Sequence, residues 1–250
     1  MGPPPRGQHK KIGFDFFEHG MIKRRVVEGN TEEDDPWRVG HPVIFPYILR
    51  VGSRGQFTFQ IPVPADDTHT WHVYYTAYRP GVPVPKQESV PIYEAPLYDK
   101  DGKFEMDVTT VQDFFAWITQ GAIAERDKEH LGQSDIGVIM FRDLLLEQMD
   151  RVERGEDPME VYRDPAKNVC IDLPQEQLAY DARQGRKWGE WFEGTRLKRG
   201  ADRSSPMIAA VRELFLEGDR RADRGEALIP PIVPTAYPEA PGHREVVLLP

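Results

Sequence analysis

The chain has 250 residues, of which 39% are hydrophobic, and a formal net charge of -9. A chain of this length buries around 70% of its unfolded surface, which is enough for one sizeable domain with appendages. The acidic balance argues against nucleic acid as the main partner, because phosphate binding calls for a basic face, and no run approaches the roughly 18 apolar residues of a membrane span.

Strand patterns dominate the first third of the sequence. Residues 21–28 predict a first strand, followed by an acidic loop rich in turn formers. Residues 43–51 and 56–63 are rich in β-branched and aromatic side chains, and the intervening GSRG is typical of a hairpin. Residues 69–78 alternate, which predicts a strand with a packed face and a wetter one. The wetter row consists of His72, Tyr74, Thr76 and Tyr78. Residues 81–103 contain too many prolines for regular structure and predict a long ordered loop.

A short helix is predicted next, in TTVQDFFAW. Thr109 can cap it, with Gln112 reaching back to the cap in a capping box. Asp113 then falls in the first turn, where we expect it to be buried among aromatic residues, on the face that also carries Trp117 and Gln120. The spacing leaves two explanations open for Asp113. It is either an acid that favours the helix N-terminus through the macrodipole, or a buried carboxylate that needs a partner.

A longer helix is predicted from residue 135 to 154, with Ser134 as its cap and Gly155 at its end. Its apolar stripe, which we expect to pack on the sheet, consists of Val138, Phe141, Leu145, Met149 and Val152. Further on, SSPMIAAVRELFLEGDRRADRG predicts a helix capped by Ser205. The last residues form a proline-rich tail without periodicity, which we expect to be an extended arm.

Four blocks of sequence carry a family pattern. They are TEEDDPWRVGHPVIFPYILRVGS, FTFQIPVPADDTHTWHVYYTAY, VQDFFAWITQGAIAERDKEHLGQSDIGVIMFRDLLLEQ and GEDPMEVYRDPAKN. In this order, from about Lys10 to Pro174, the chain resembles the catalytic domain of Rieske-type non-haem iron oxygenases, which hydroxylate aromatic rings. The likeness is to the phthalate-dioxygenase-like branch, particularly the oxygenase components of dehydrodivanillate O-demethylases.

The resemblance implies an α+β fold. We expect an antiparallel β-sheet wrapped around a long helix, in the helix-grip, START-like manner of the family's catalytic domain, incomplete at the N-terminus. On this interpretation residues 1–174 form a partial catalytic domain, and residues 175–250 form a helical extension and Pro-rich tail that pack on it.

The resemblance also implies a site. The aspartate of the family's Gln-Asp pair is a ligand of the mononuclear iron, and it matches Asp113. The family's two histidine ligands lie upstream, in an Asp-x-x-His-x-x-x-x-His pattern that this sequence lacks. Trp117 and Gln120 on the helix, with His72 and Tyr74 on the sheet, are candidates for the substrate pocket. Packing or helix-surface contacts explain each of these four residues at least as well.

Cofactor chemistry is predicted to be incomplete in this chain. The mononuclear Fe(II) would have only its carboxylate ligand here. A two-iron two-sulfur Rieske cluster needs two cysteines and two histidines, and the chain has a single cysteine, Cys170. We therefore expect the cluster only in a missing N-terminal part. Cys170 is predicted to be a small buried apolar residue in a reduced compartment, and MGPPPRGQHKK offers no apolar segment for secretion, so we expect a cytoplasmic protein.

Two functions follow. The first is the C-terminal part of a Rieske-type aromatic oxygenase, either a truncated gene product or one piece of a split enzyme, which O-demethylates or hydroxylates an aromatic acid with dioxygen and reductase-supplied electrons. We expect the chain to be inactive alone, because the Rieske motif and the iron-ligand histidines are absent from it. The expected partners are an aromatic substrate, a Rieske-bearing polypeptide or missing N-terminal half, a separate reductase and further copies in a trimer or hexamer. The alternative is a non-catalytic subunit for aromatic binding or assembly.

Overall fold

The computed structural model describes residues 8–51, 56–92, 97–106, 109–173, 208–229 and 244–247. The chain divides into two compact units, each built from several segments. We call residues 4–77, 128–177 and 232–250 the sheet unit, and residues 1–3, 78–127 and 178–231 the helical unit. The predicted division at residue 174 follows chain order instead and stays a prediction.

One seven-stranded sheet dominates the sheet unit, in the order β6-β5-β4-β3-β2-β1-β7. Its strands are β1 (His9–Phe17), β2 (Gly20–Val27), β3 (His41–Ile44), β4 (Ile48–Val51), β5 (Gln56–Pro64), β6 (Thr70–Tyr78) and β7 (Arg244–Val247). The pairings from β7 through β5 are antiparallel. With the helices, this confirms the predicted α+β class, whereas the helix-grip arrangement stays a prediction.

Four α-helices accompany the sheet in the described ranges. They are α1 (Asp35–Arg38), α2 (Thr109–Ile118), α3 (Ile136–Glu153) and α4 (Ile208–Asp223). Short 3-10 helices cover Arg126–Lys128, Gln133–Asp135 and Pro165–Lys167. Among the helices of these ranges, none is both long and apolar enough to cross a membrane. The predicted helix in the 205–225 region is confirmed as α4, while Ser205 lies outside the described residues.

The prediction of one strand over residues 43–51 is wrong, because the segment folds back on itself. Residues 45–47 turn between β3 and β4, which pair antiparallel. Pro46 lacks an amide hydrogen for the sheet ladder, and the Phe45 N–H is used instead to donate to the His19 carbonyl at 2.8 Å. The pairing of β4 with β5 is as predicted, although GSRG itself lies outside the described residues.

The predicted core stripe of α3 is also wrong, by one helical position. Its buried residues are Gly137, Met140, Leu144 and Gln148. Of the predicted stripe, Val138, Leu145, Met149 and Val152 are exposed, and only Phe141 contacts the core. The helix is apolar on more than one face, so periodicity alone gives no unique orientation.

Two local contacts fix which face of α3 is buried. Gly137 has no side chain, so the Phe14 ring of β1 lies directly against the helix. The side-chain Oε1 of Gln148 accepts a hydrogen bond from the Met159 N–H at 2.7 Å, which satisfies this buried side-chain amide oxygen. Neither the contact with a distant strand nor the one with the following loop is visible in the spacing of apolar residues.

The ends of α3 agree with the prediction at one terminus only. Asp135, rather than Ser134, directly precedes the helix, and its carboxylate accepts from the Gly132 N–H at 2.8 Å. At the other end the helix stops at Arg154, and Gly155 adopts a positive φ of 77°. A glycine populates this left-handed conformation at little cost, as the prediction required.

The C-terminal tail contributes a strand that the sequence analysis did not predict. Residues Arg244–Val247 pair antiparallel with β1, placing Arg244 opposite Phe14 and Val247 opposite Lys11. The strand is only four residues long, and its partner is more than 200 residues away in sequence. Local pattern therefore gives no signal for the pairing.

Candidate functional site

Aromatic side chains hold helix α2 to the turn before it, in which Tyr98 and Phe104 form an isolated β-bridge. The Phe115 ring lies edge-on to the Phe104 ring, with the ring centroids 4.8 Å apart. The Phe104 ring in turn lies against that of Tyr98, with a centroid distance of 4.7 Å. The Gln112 amide donates to the Met106 carbonyl at 2.6 Å. The helix begins at Thr109 itself, and the predicted capping box between Thr109 and Gln112 stays a prediction.

Asp113 is exposed, so the prediction that it is buried among aromatics is wrong. Val111, which is fully buried, and Phe115 are four residues apart and share the anchored face of α2. Asp113 is two residues from each of them, a rotation of about 200° around the helix axis, so its side chain lies on the opposite side of the helix. Its carboxylate has no hydrogen-bond or ion-pair partner among the described residues.

Trp117 and Gln120 lie on the exposed side with Asp113. Trp117 is 45% exposed, and its ring centroid lies 5.4 Å from that of Phe114. Gln120 follows the last residue of α2, and its amide donates to the Ala116 carbonyl at 3.0 Å. The structure brings these side chains to one side of a helix, and their role in a substrate pocket stays a prediction.

His72 and Tyr74 occupy one face of β6, as the alternation predicted. The prediction of which face packs is wrong, because Trp71, Val73 and Tyr75 of the other row are exposed. Both side chains are half-buried, and their rings are 4.8 Å apart. On the same face, the Thr76 hydroxyl contacts the Thr58 hydroxyl of β5 at 3.2 Å. These residues belong to the sheet unit and α2 to the helical unit, so each group is described by itself.

Asp66 and His69 form the turn that leads into β6. The Asp66 carboxylate accepts from the backbone N–H groups of Thr68 and His69, each at 2.8 Å. It also contacts the His69 ring at 2.9 Å. The hydrogen bond from the Thr68 N–H, followed by that from the His69 side chain, lowers the pKa of Asp66. Both residues are thus used locally, as expected of an Asx turn.

A polar contact that the sequence analysis missed links the β1–β2 turn to the segment after α3. The His19 Nδ1 lies 2.9 Å from a Glu160 carboxylate oxygen, and both side chains are largely buried. The Tyr162 hydroxyl also donates to Glu160. Burial and the nearby Glu160 charge raise the pKa of Tyr162. The two partners are 141 residues apart, so no motif spacing could have found them.

The side chains that the structure describes do not form a complete mononuclear iron site. Such a site needs two imidazoles and a carboxylate on one face of the metal. The described ranges contain no group of three or more His, Cys, Asp or Glu residues placed to hold a metal ion. Cys170 is exposed, which contradicts its predicted burial. The role of Asp113 as the carboxylate ligand stays a prediction.

Comparison with known proteins relates the sequence of this chain to a family. Residues 98–177 match the family described as LigXa C-terminal domain like. The chain is 35% identical over 169 residues to the 5,5'-dehydrodivanillate O-demethylase oxygenase subunit of Sphingobium sp., covering 67% of this chain and 39% of that protein. The chain is a homologue of Rieske-type oxygenase subunits. A second Rieske-type relative, the phthalate 4,5-dioxygenase oxygenase subunit of Pseudomonas putida, is 29% identical over 178 residues, covering 61% of this chain and 39% of that protein.

These relatives confirm the predicted phthalate-dioxygenase-like branch of the Rieske-type oxygenases. The chain spans about two fifths of the length of each curated relative. Asp113, Trp117 and Gln120 lie inside the matched family region, whereas His72 and Tyr74 lie outside it. The α2 side chains are therefore the part of the candidate site that this family match includes.

Proposed function

We propose that this chain is the C-terminal part of the catalytic domain of an aromatic oxygenase. The complete enzyme would O-demethylate or hydroxylate an aromatic acid, using dioxygen and electrons from a separate reductase. The observation that carries the proposal is the relationship to two oxygenase subunits whose names specify aromatic substrates, dehydrodivanillate and phthalate.

Asp113 is the residue of this chain proposed to hold the mononuclear Fe(II). Its carboxylate is exposed and unbonded within the described residues, so a cation could be bound without first breaking a native hydrogen bond. An anionic oxygen ligand also offsets part of the metal charge. The two imidazoles and the Rieske cluster are proposed to come from another polypeptide segment, in an assembly of three or six copies.

Trp117 is the stronger of the proposed substrate contacts on α2. An aromatic ring stacked on a tryptophan gains about 0.5–1.5 kcal/mol beyond the burial of its area, and Trp117 exposes nearly half of its surface. Gln120 donates one amide N–H to the Ala116 carbonyl, and its second amide N–H is proposed to donate to a substrate oxygen. His72 and Tyr74 offer a second aromatic surface, on β6, and are proposed as weaker contacts.

The test is iron binding by matched variants. The chain is mixed anaerobically with ferrous iron, alone and together with a polypeptide that carries the missing histidines, and bound iron is measured by mass spectrometry. We expect no stoichiometric iron on the chain alone and one iron per complex. Asp113→Asn should abolish iron retention in the complex, whereas Asp101→Asn, another exposed carboxylate of the helical unit, should not.

Two results would contradict the proposal. Stoichiometric iron on the isolated chain would mean that the remaining ligands lie within it. Unchanged iron content in the Asp113→Asn complex would mean that this carboxylate is not a ligand. Circular dichroism of both variants should match the parent protein, since neither carboxylate is buried.

The second candidate function is a non-catalytic subunit for aromatic binding or assembly. It is favoured by the exposure of Asp113 and by the lack of a three-donor cluster in the described ranges. Calorimetric titration with phthalate separates the two functions. Binding by the isolated chain, unchanged in Asp113→Asn and without any iron requirement, would favour the binding role.

A further inference from the structure

Helix α3 has a second apolar row beside the one that it buries. This row, which we call the α3 stripe, consists of Val138, Leu145, Met149 and Val152, and they are 42%, 37%, 51% and 55% exposed. Its members are three, four or seven residues apart, so they share one face of the helix. At about 100° per residue, the stripe lies about 100° around the helix axis from the buried row of Met140 and Leu144.

The α3 stripe contains no charged side chain, although the helix has six of them in 18 residues. A helix on the surface of a single domain normally has one apolar face and a polar face opposite it. Contiguous apolar surface that stays exposed commonly marks a protein interaction site. The stripe was predicted to pack on the sheet. Because the sheet instead covers the neighbouring face, the stripe is left for another polypeptide.

We infer that the α3 stripe binds the polypeptide that carries the missing histidine ligands, an inference that rests on the proposed function. Each curated relative shares only 39% of its length with this chain, so most of a related subunit lies outside the matched part. Helix α3 lies within the matched family region, residues 98–177. In the relatives, the corresponding segment therefore belongs to a much longer polypeptide.

The size of the α3 stripe favours this partner over a second copy of the chain. The stripe extends over about 21 Å of helix and is about 10 Å wide, or roughly 200 Å². Each partner in a stable complex buries about 800 Å². Pairing of two copies through this stripe alone is therefore too small to be stable, whereas a polypeptide that completes the catalytic domain would contact further surfaces as well.

Charge also disfavours a second copy. The arginines of α3 and its C-terminal cap all pair with glutamates. Four carboxylates of α3 make no hydrogen bond or ion pair within the described ranges. They are Asp143, Glu147, Asp150 and Glu153. Two copies packed through this helix would bring the same excess of negative charge together, and like charges across an interface are unfavourable.

The first test is site-specific photo-cross-linking of the full chain in the cells that produce it. The photoreactive residue p-benzoylphenylalanine is placed at Leu145, and in a control at Glu147, which is exposed and about 200° away around the helix. Mass spectrometry then identifies the cross-linked peptides. From Leu145 we expect peptides of a polypeptide that contains the Asp-x-x-His-x-x-x-x-His pattern, and from Glu147 we expect none of them.

Three results of this experiment would overturn the inference. The first is cross-linking from Leu145 to a second copy of the chain or to a protein without the histidine pattern. The second is the absence of any cross-link from Leu145. The third is an equal yield from Leu145 and Glu147, since a partner on the α3 stripe reaches only one of them.

The second test measures how much of the histidine-bearing polypeptide is recovered with the tagged chain. Met149→Lys should lower recovery by about tenfold or more, because burial of an unpaired ammonium group is costly. Ile123→Lys, an equally drastic change at an exposed apolar residue outside α3, should leave recovery unchanged. Both positions are exposed, so circular dichroism should match that of the parent protein. Equal recovery with the two variants would contradict the inference.

The iron content of the recovered complex separates this inference from the proposed function. A complex that cross-links through Leu145 but retains no iron would support the docking surface and contradict the iron-binding role of Asp113. A complex that retains iron and forms equally well with Met149→Lys would support the proposed function and contradict the docking surface.

Discussion

Replacement of Gly137 by alanine should destabilise the protein, although alanine is the better helix former. The added Cβ would lie 2.1 Å from Cε1 of the Phe14 ring and within 2.5 Å of two further ring atoms. Carbon atoms in contact are normally about 3.5–4.0 Å apart, so the ring or the helix has to retreat by well over 1 Å. Overpacking of this kind costs about 1–3 kcal/mol.

The helix propensity of alanine offsets about 1 kcal/mol of that cost, which leaves a net loss of roughly 0–2 kcal/mol. The effect of Gly137→Ala on the free energy of unfolding should change sign once the Phe14 ring is removed. In a Phe14→Val background, Gly137→Ala should stabilise the protein by up to about 1 kcal/mol, because only the propensity gain is left. The two changes are thus expected to couple in a double-mutant cycle.

Urea denaturation of the four proteins, followed by circular dichroism, measures this coupling. Additive effects would refute the reasoning, and so would stabilisation by Gly137→Ala in the parent protein. Either result would mean that Phe14 does not pack against Gly137. The face of α3 assigned to the core would then be in question as well.

Three further predictions concern other parts of the chain. Met140→Ala should lower the free energy of unfolding by about 2–5 kcal/mol, because Met140 is 3% exposed. Met149→Ala, at a 51% exposed position, should change it by less than about 0.5 kcal/mol, and equal losses would contradict the observed orientation of α3. Hydrogen bonds from two arginines lower the pKa of Glu217 below its ordinary value of 4.5, so its stabilising contribution should be fully present above that pH and be lost progressively as the pH falls through the lowered pKa. Carboxyl NMR should give a titration midpoint below 4.5, and a higher one would contradict the contacts. Cys170 is exposed, so a thiol reagent should modify it in the native protein without urea, whereas protection until unfolding would indicate burial.

Strand positions could be predicted where alternation and turn residues agree. In β6, His72 and Tyr74 lie on one face and Trp71 on the other, as the period of two requires. The prediction was wrong at 43–51, where the apolar run continues through a turn that only Pro46 marks. A local apolar run does not reveal that its two halves pair with each other.

Helix faces and long-range contacts were harder to predict. For α3 the apolar residues support two orientations, and the choice depends on Phe14, a residue of a distant strand. For α2 the error concerned Asp113, because aromatic neighbours in sequence were taken as neighbours in space. Phe115 lies on the other side of the helix, in contact with Phe104. The family could be identified more reliably than the environment of any single residue, because the resemblance depends on many residues in order.

The pairing of β7 with β1 has a consequence for biosynthesis. About 230 residues separate Phe14 from its partner Arg244, and translation at 5–20 residues per second takes roughly 10–50 s to cover that distance. Throughout this interval the outer side of β1 emerges from the ribosome without the segment that will cover it. The nascent chain therefore offers an open template to chaperones, or to neighbouring nascent chains, until strand β7 has been made.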